Sequence, residues 1–206
     1  GGAAAWAVAR AGLGGLDFCA LQHGADDLVL VAAAVSSEMG VDEVLNPCQV
    51  RRFILSVRAR MLDNAYHNWA HVVDVTQTTY SLAKQSGVLE RLTRRQRAAL
   101  FLASLCHDLE HPGVNAAFLV RSNSSMAALY KQDPALLEKH HSIRAFELMA
   151  CSDINLLENL AGPEKLELYS LVRDLIMATD MSRHAAYLSA VRQRAAAAAP
   201  GGPRSA

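Results

Sequence analysis

Apolar side chains recur along this chain at helical spacing, in stretches bounded by residues that start and stop helices. Over 26–39 the pattern is apolar nearly all round, which predicts a buried helix, and Gly40 is placed to end it. Asn46 followed by Pro47 reads as an N-cap with proline in the first turn, opening a helix to about residue 64 with Val50, Phe53, Ile54 and Val57 on one face. A further helix is predicted over 68–86, closed by Gly87. Thr93 and Gln96 have the spacing of a capping box. The helix they start turns Ala99, Leu100, Leu102, Ala103 and Leu105 toward the core, ends in His107 and Asp108, and is broken by Pro112 and Gly113. Beyond it, 114–122 reads as a short helix, and Asp133-Pro134 repeats the cap-plus-proline signal for a helix to about 150. Gly162-Pro163-Glu164 starts another that reaches 179, and a last helix follows Met181. No alternation is sustained enough for a strand and no period recurs, so the expected fold class is all-α, a compact multi-helix bundle.

Composition narrows the setting. The 206 residues suffice for one domain with a substantial core, and 51% hydrophobic residues fits a globular protein. Twenty basic and twenty acidic side chains cancel and no basic stripe stands out, so neither nucleic acid nor an anionic membrane is an expected partner. Cys19, Cys48, Cys106 and Cys151 are widely spaced in apolar helical patterns and read as reduced, buried thiols, which points to an intracellular setting; their even count leaves disulfide pairing open. The longest apolar run, 28–35, is too short for a membrane span, which takes about 20 residues. Residues 1–15 are expected to be a linker or disordered, 16–194 the ordered domain, and 195–206 a disordered Ala/Pro/Gly tail, the whole being a piece of a longer protein.

The candidate chemistry gathers in two clusters. His107, Asp108, Glu110 and His111 put two imidazoles and two carboxylates in one short segment behind an apolar helical run. Histidine followed directly by aspartate offers a neutral nitrogen and an anionic oxygen, a mixture suited to a divalent ion and its water. Upstream, His67, His71 and Asp74 fall at i, i+4 and i+7, one face of a helix. A lone histidine is more often a hydrogen-bonded core residue than a ligand; two clusters able to converge between packed helices favour a metal. His67, one turn before His71, would face the same cavity without having to bind, and an imidazole titrating near neutrality suits a general acid. Asp74 stays open between ligand, acceptor of an imidazole N–H and solvated helix residue, with the acceptor favoured. Of His140 and His141 at most one enters a site, since neighbours on a helix point about 100° apart. Glu110, His23 and His184 read as solvent-facing.

Together, Tyr-His-Asn-x-x-His-x-x-Asp at 66–74 and His-Asp-x-x-His-Pro-Gly-x-Asn at 107–115 resemble the catalytic core of class I 3′,5′-cyclic nucleotide phosphodiesterases, within the HD metal-hydrolase superfamily. Leu137-Glu138-Lys139-His140-His141 and the stretch from Met177 through Thr179, Asp180 and Met181 to His184 extend the likeness over about 16–192. The resemblance implies an HD-type helical bundle lacking the family's C-terminal helices, and hydrolysis of cAMP and/or cGMP to the 5′-monophosphate. It implies His71, His107 and Asp108 as metal ligands, with Asp108 bridging two divalent ions, zinc at the histidine-rich site and magnesium or manganese at the oxygen-rich one. A metal-bridging hydroxide would be the nucleophile and His67 the proton donor to the departing O3′. His111, Glu138 and Thr179 match positions that hold waters on the second ion, and Tyr66, His67, Asp108 and Met181 the substrate cleft. A downstream aspartate ligand and a purine-gripping glutamine of the family have no match here. A catalytically inactive regulatory or binding module is therefore the alternative, another HD-type phosphohydrolase a third, and Asp180 the first candidate for a replacement ligand. Fused regulatory domains outside the segment are compatible with the pattern, and the preferred base is not legible.

Overall fold

In the computed structural model, residues 13–198 are described and form helices joined by turns, with no strand among them. The helices are α1 (Ala25–Glu38), α2 (Pro47–Arg60), α3 (Trp69–Gln85), α4 (Arg94–Cys106), α5 (Ala116–Arg121), α6 (Ser125–Leu129), α7 (Leu136–Ala150), α8 (Gly162–Met177) and α9 (His184–Ala198). The strongest start signals act where the sequence places them. Thr93 Oγ1 accepts the N–H of Gln96, and Gln96 Oε1 accepts the N–H of Thr93, closing the capping box of α4. Asn46 caps α2 by accepting the N–H of Cys48, with Pro47 in the first turn. Gly40 ends α1 at φ 71°, in the left-handed region that a side chain disfavours.

α4 is the central element. It packs against α8 and α3 and also touches α1, α2 and α7. Its Ala99, Phe101, Leu102 and Leu105 are fully buried, each large side chain contributing about 1.5–3 kcal/mol of transfer free energy. Truncating Leu105 to alanine would leave a cavity costing about 2–5 kcal/mol, next to the two residues that the helix delivers to the site. Leu100 is only half-buried and packs against the edge of the core.

Several boundaries differ from the sequence pattern. α2 stops at Arg60 and not near 64. α7 begins at Leu136: Lys131 and Gln132 adopt left-handed φ values of 54° and 57°, so Asp133 closes a turn by accepting the N–H of Ala135 and does not cap the helix. The pattern missed α6, which Ser124 caps by accepting the N–H of Ala127. α8 ends at Met177, two residues early, and the Thr179 hydroxyl donates to the Ile176 carbonyl.

Order does not wait for Leu16. Leu13 is in the core at 2% exposure, because buried Gln77 and Ser81 of α3 hold the carbonyls of Leu13 and Gly15. Likewise residues 195–198 continue α9; the rest of the expected linker and tail lies outside the described residues. All four cysteines are free, but Cys106 alone is buried; Cys48 is exposed on the first turn of α2. Among the described residues no helix is long and apolar enough to cross a membrane.

Candidate metal centre and cleft

Where α4 ends, His107 is the C-cap and Asp108 follows it into a tight turn. His107 Nδ1–H donates to the Ser104 carbonyl at 2.9 Å. A carbonyl only accepts, so Nδ1 carries a proton, and Nε2 is turned to Asp108 Oδ2 at 3.3 Å. From the first turn of α3, His71 brings its Nε2 to 3.2 Å from the same oxygen. The Asn68 side chain sets this start by accepting the N–H of His71 at 3.1 Å. From α7, His141 Nδ1–H donates to the Leu109 carbonyl at 2.8 Å, which leaves its Nε2 3.8 Å from Asp108 Oδ1.

Three helices thus aim three imidazoles at one carboxylate. Burial would raise the Asp108 carboxyl, but hydrogen bonds from His107 and His71 and the charges of His107 and His141 hold it well below the usual carboxylate range. Burial would lower His107, and its bond to Asp108 outweighs that and raises it. The ligand atoms of His71, His107 and Asp108 lie within 4.8 Å of one another. A tetrahedral ion with bonds of about 2.1 Å separates its ligands by roughly 3.4 Å, close to the spacings here, and the Ser104 carbonyl supplies the outer partner that orients a metal-binding imidazole. The donor set fits a divalent metal.

A second group, His67, Asp108 and His111, is equally close. His111 differs from its neighbours, because Gly113 N–H donates to its Nδ1 at 3.0 Å. The neutral ring therefore carries its proton on Nε2, a form that donates hydrogen bonds and does not coordinate. Burial, then the nearby His67, pushes His111 down to about 4, and burial also lowers His67. These residues line a cleft of about 460 Å3 that also takes in Tyr66, Glu138, Thr179 and Met181. Burial, with Asp180 and Asp108 adding negative charge, raises the Glu138 carboxyl. Tyr66 and Met181 stand at the rim, 64% and 74% exposed. A larger groove of about 770 Å3 lies beside Asn46, Thr93 and Glu164. Its arginines are neutralised there, Arg94 by Glu43 and Arg95 by Glu164 and Glu167, and it gathers no comparable cluster.

Three placements correct the sequence pattern, and His184 faces solvent as expected. His67 precedes α3 in a bend, so it does not share a helical face with His71. Asp74 is half-buried and, among the described residues, has no hydrogen bond to a site imidazole; Val75 takes the cleft-facing place, and backbone carbonyls serve as the acceptors. Glu110 does not face solvent freely: Arg144 grips it at 2.7 and 3.0 Å, Arg60 reaches it at 3.3 Å and His140 at 3.6 Å. His184 is exposed but lines the cleft, as does Asp180, whose carboxylate accepts the N–H of Ser182. Of the adjacent histidines, His141 enters the site and His140 turns to Tyr130, as their 100° separation requires.

Comparison with known proteins adds relatives to this geometry. Residues 66–200 match the family described as 3′5′-cyclic nucleotide phosphodiesterase. The 3′,5′-cyclic-nucleotide phosphodiesterase regA of Dictyostelium discoideum is 34% identical over 173 residues, 82% of this chain and 22% of that protein. The high affinity cGMP-specific 3′,5′-cyclic phosphodiesterase 9A of Mus musculus is 31% identical over 174 residues, 84% of this chain and 31% of that one. Among solved structures, the phosphodiesterase domain of the RhoPDE fusion protein from Salpingoeca rosetta superposes with a TM-score of 0.83 at 34% identity. That match covers 92% of this chain and 60% of that domain, so the chain spans less than two thirds of these relatives.

Proposed function

This chain belongs to the 3′,5′-cyclic nucleotide phosphodiesterase family, and from that premise we propose that its cleft opens the cyclic phosphate of a 3′,5′-cyclic nucleotide to the 5′-monophosphate. The observation that carries the proposal is the convergence of His71, His107 and Asp108 in the cleft that His67 also lines. His71, His107 and Asp108 would hold zinc, and Asp108 would also serve a magnesium or manganese ion on the oxygen-rich side. Bound there, two divalent ions would neutralise charge on the phosphate oxygens and acidify a water to act as nucleophile.

The chain's own groups do the rest. His67 donates a proton to the departing O3′; its lowered pKa makes the imidazolium a stronger acid, while an anionic phosphate alongside favours the protonated form. His111, which lines the cleft with its Nδ1 engaged by Gly113, and Glu138 and Thr179 would hydrogen-bond water around a second ion. Tyr66 and Met181 flank the nucleotide at the rim.

A second reading, binding without turnover, draws on the same site. His71, His107 and Asp108 are three protein ligands, and Asp180, the expected substitute for a fourth, is engaged by Ser182. The deciding assay is hydrolysis of cAMP and cGMP with zinc, magnesium or manganese, by this chain and by one extended with a related phosphodiesterase's C-terminal third. Chelator-sensitive hydrolysis by the chain supports catalysis; hydrolysis by the extended chain alone supports the binding module; none by either overturns the proposal.

A further inference from the structure

Asn64 lies outside both histidine clusters, yet its carboxamide joins them. Nδ2 donates to the His67 carbonyl at 3.0 Å and to the His111 carbonyl at 2.7 Å, using both hydrogens of one nitrogen on two segments 44 residues apart, as the numbers 67 and 111 show. The amide cannot be turned over. Its oxygen would then meet two carbonyl oxygens, and the nitrogen would lose both acceptors. Oδ1 faces Gly113 instead, where a Cβ would come within 2.8 Å of it, and Gly113 sits at φ +79°. The backbone of Asn64 is held in turn by Asn68, whose Nδ2 donates to the Asn64 carbonyl at 2.9 Å.

We propose that Asn64 is the positioning residue that sets the face-to-face contact of His67 and His111, whose ring centroids lie 3.7 Å apart. His67 precedes α3 and has no helical hydrogen bond to fix its height, while His111 follows a turn begun by the end of α4. Two rings on such independent segments stack only if their backbones are tied, and the Asn64 amide bonds directly to the carbonyl of each. The inference rests on the proposed function for its kinetic consequence, since it is His67 that would deliver the proton; the stack itself is independent of any activity.

The test uses the full chain with Asn64→Asp, which keeps the shape but removes both donors, and Asn64→Ala, which removes the side chain. Stacking is read from the ring-current shifts of the His67 and His111 C–H signals by NMR, assigned with His67→Gln and His111→Gln. Manganese binding to the chain serves as the control for an intact His71, His107 and Asp108 group. Both variants should lose the ring-current shifts while binding manganese within about 3-fold of the parent, and kcat should fall about 10- to 100-fold with KM nearly constant, the scale of a misplacement near 1 Å. Either variant keeping the parent shifts overturns the inference, as does loss of the shifts with kcat unchanged. If Asn64→Ala fails to fold, the isosteric Asn64→Asp decides alone. A parent chain that hydrolyses no cyclic nucleotide sinks the proposed function and leaves the NMR comparison to judge Asn64.

Discussion

His67 and His111 lie with ring centroids 3.7 Å apart and planes within 10°, although one precedes α3 and the other follows the turn beyond α4. Two imidazoles so placed cannot both be charged, in keeping with burial and mutual repulsion lowering His111. The contact leaves His67 beside the Asp108 centre and outside the His71, His107 and Asp108 ligand group, the division of labour a proton donor needs.

Removing that donor should separate turnover from metal binding. In a chain that hydrolyses a cyclic nucleotide, His67→Ala should lower kcat by about 10²- to 10⁴-fold, the usual worth of a general acid. Metal content after dialysis should stay near the parent value, and its loss along with activity would show His67 to be a ligand.

Metal retention should depend on Asp108 more than on any other single side chain, because both histidines of the group meet its Oδ2. Asp108→Ala should bind zinc or manganese at least about 10-fold more weakly by titration calorimetry, the lower end of what even outer partners of a metal site contribute. Equal binding by the two chains would refute the ligand assignment.

Acid should destabilise the metal-free chain through its buried histidines. Burial holds His141 at about 3 and His111 at about 4, against 6.5 for a free imidazole. Below 6.5 the unfolded chain therefore takes up protons that the folded one refuses, so stability is complete above that pH and falls as pH drops toward 4. His67 and His140, also lowered by burial, act in the same direction, the raised Glu138 opposes them, the raised His107 gives the opposite slope mainly above this window, and the lowered Asp108 acts only below it. Urea unfolding should show a loss of about 2 kcal/mol between pH 6 and 5, made smaller by His141→Gln. A flat profile over that unit would contradict it.

At Glu110 two effects oppose one another. The residue sits at φ 60°, a left-handed conformation costing about 1–2 kcal/mol for a side chain, while its carboxylate bonds Arg144 and Arg60. Glu110→Ala loses the bonds and keeps the strain; Glu110→Gly loses the bonds and the strain together. The glycine variant should be the more stable of the two by about 1 kcal/mol in thermal or urea melts. The reverse order would mean that the backbone there is not strained in solution.

The sequence alone determined the helices whose signals are local. Thr93 with Gln96, and Asn46 with Pro47, act within one turn of chain, so spacing sufficed to place α4 and α2. It also carried the two histidine clusters and the family likeness, because those are residue types at fixed offsets. Tertiary structure decided what depends on partners distant in the chain. Which nitrogen of His107, His111 and His141 bears the proton is set by a carbonyl or an N–H nearby, and for His141 that partner, Leu109, is 32 residues away. The same holds for Glu110, drawn from solvent by Arg144, and for Leu13, buried by hydrogen bonds from α3 to its segment. Asn64 was illegible for the same physical reason: an amide acquires meaning from what it bonds, and its two acceptors meet only after α3 and α4 have packed.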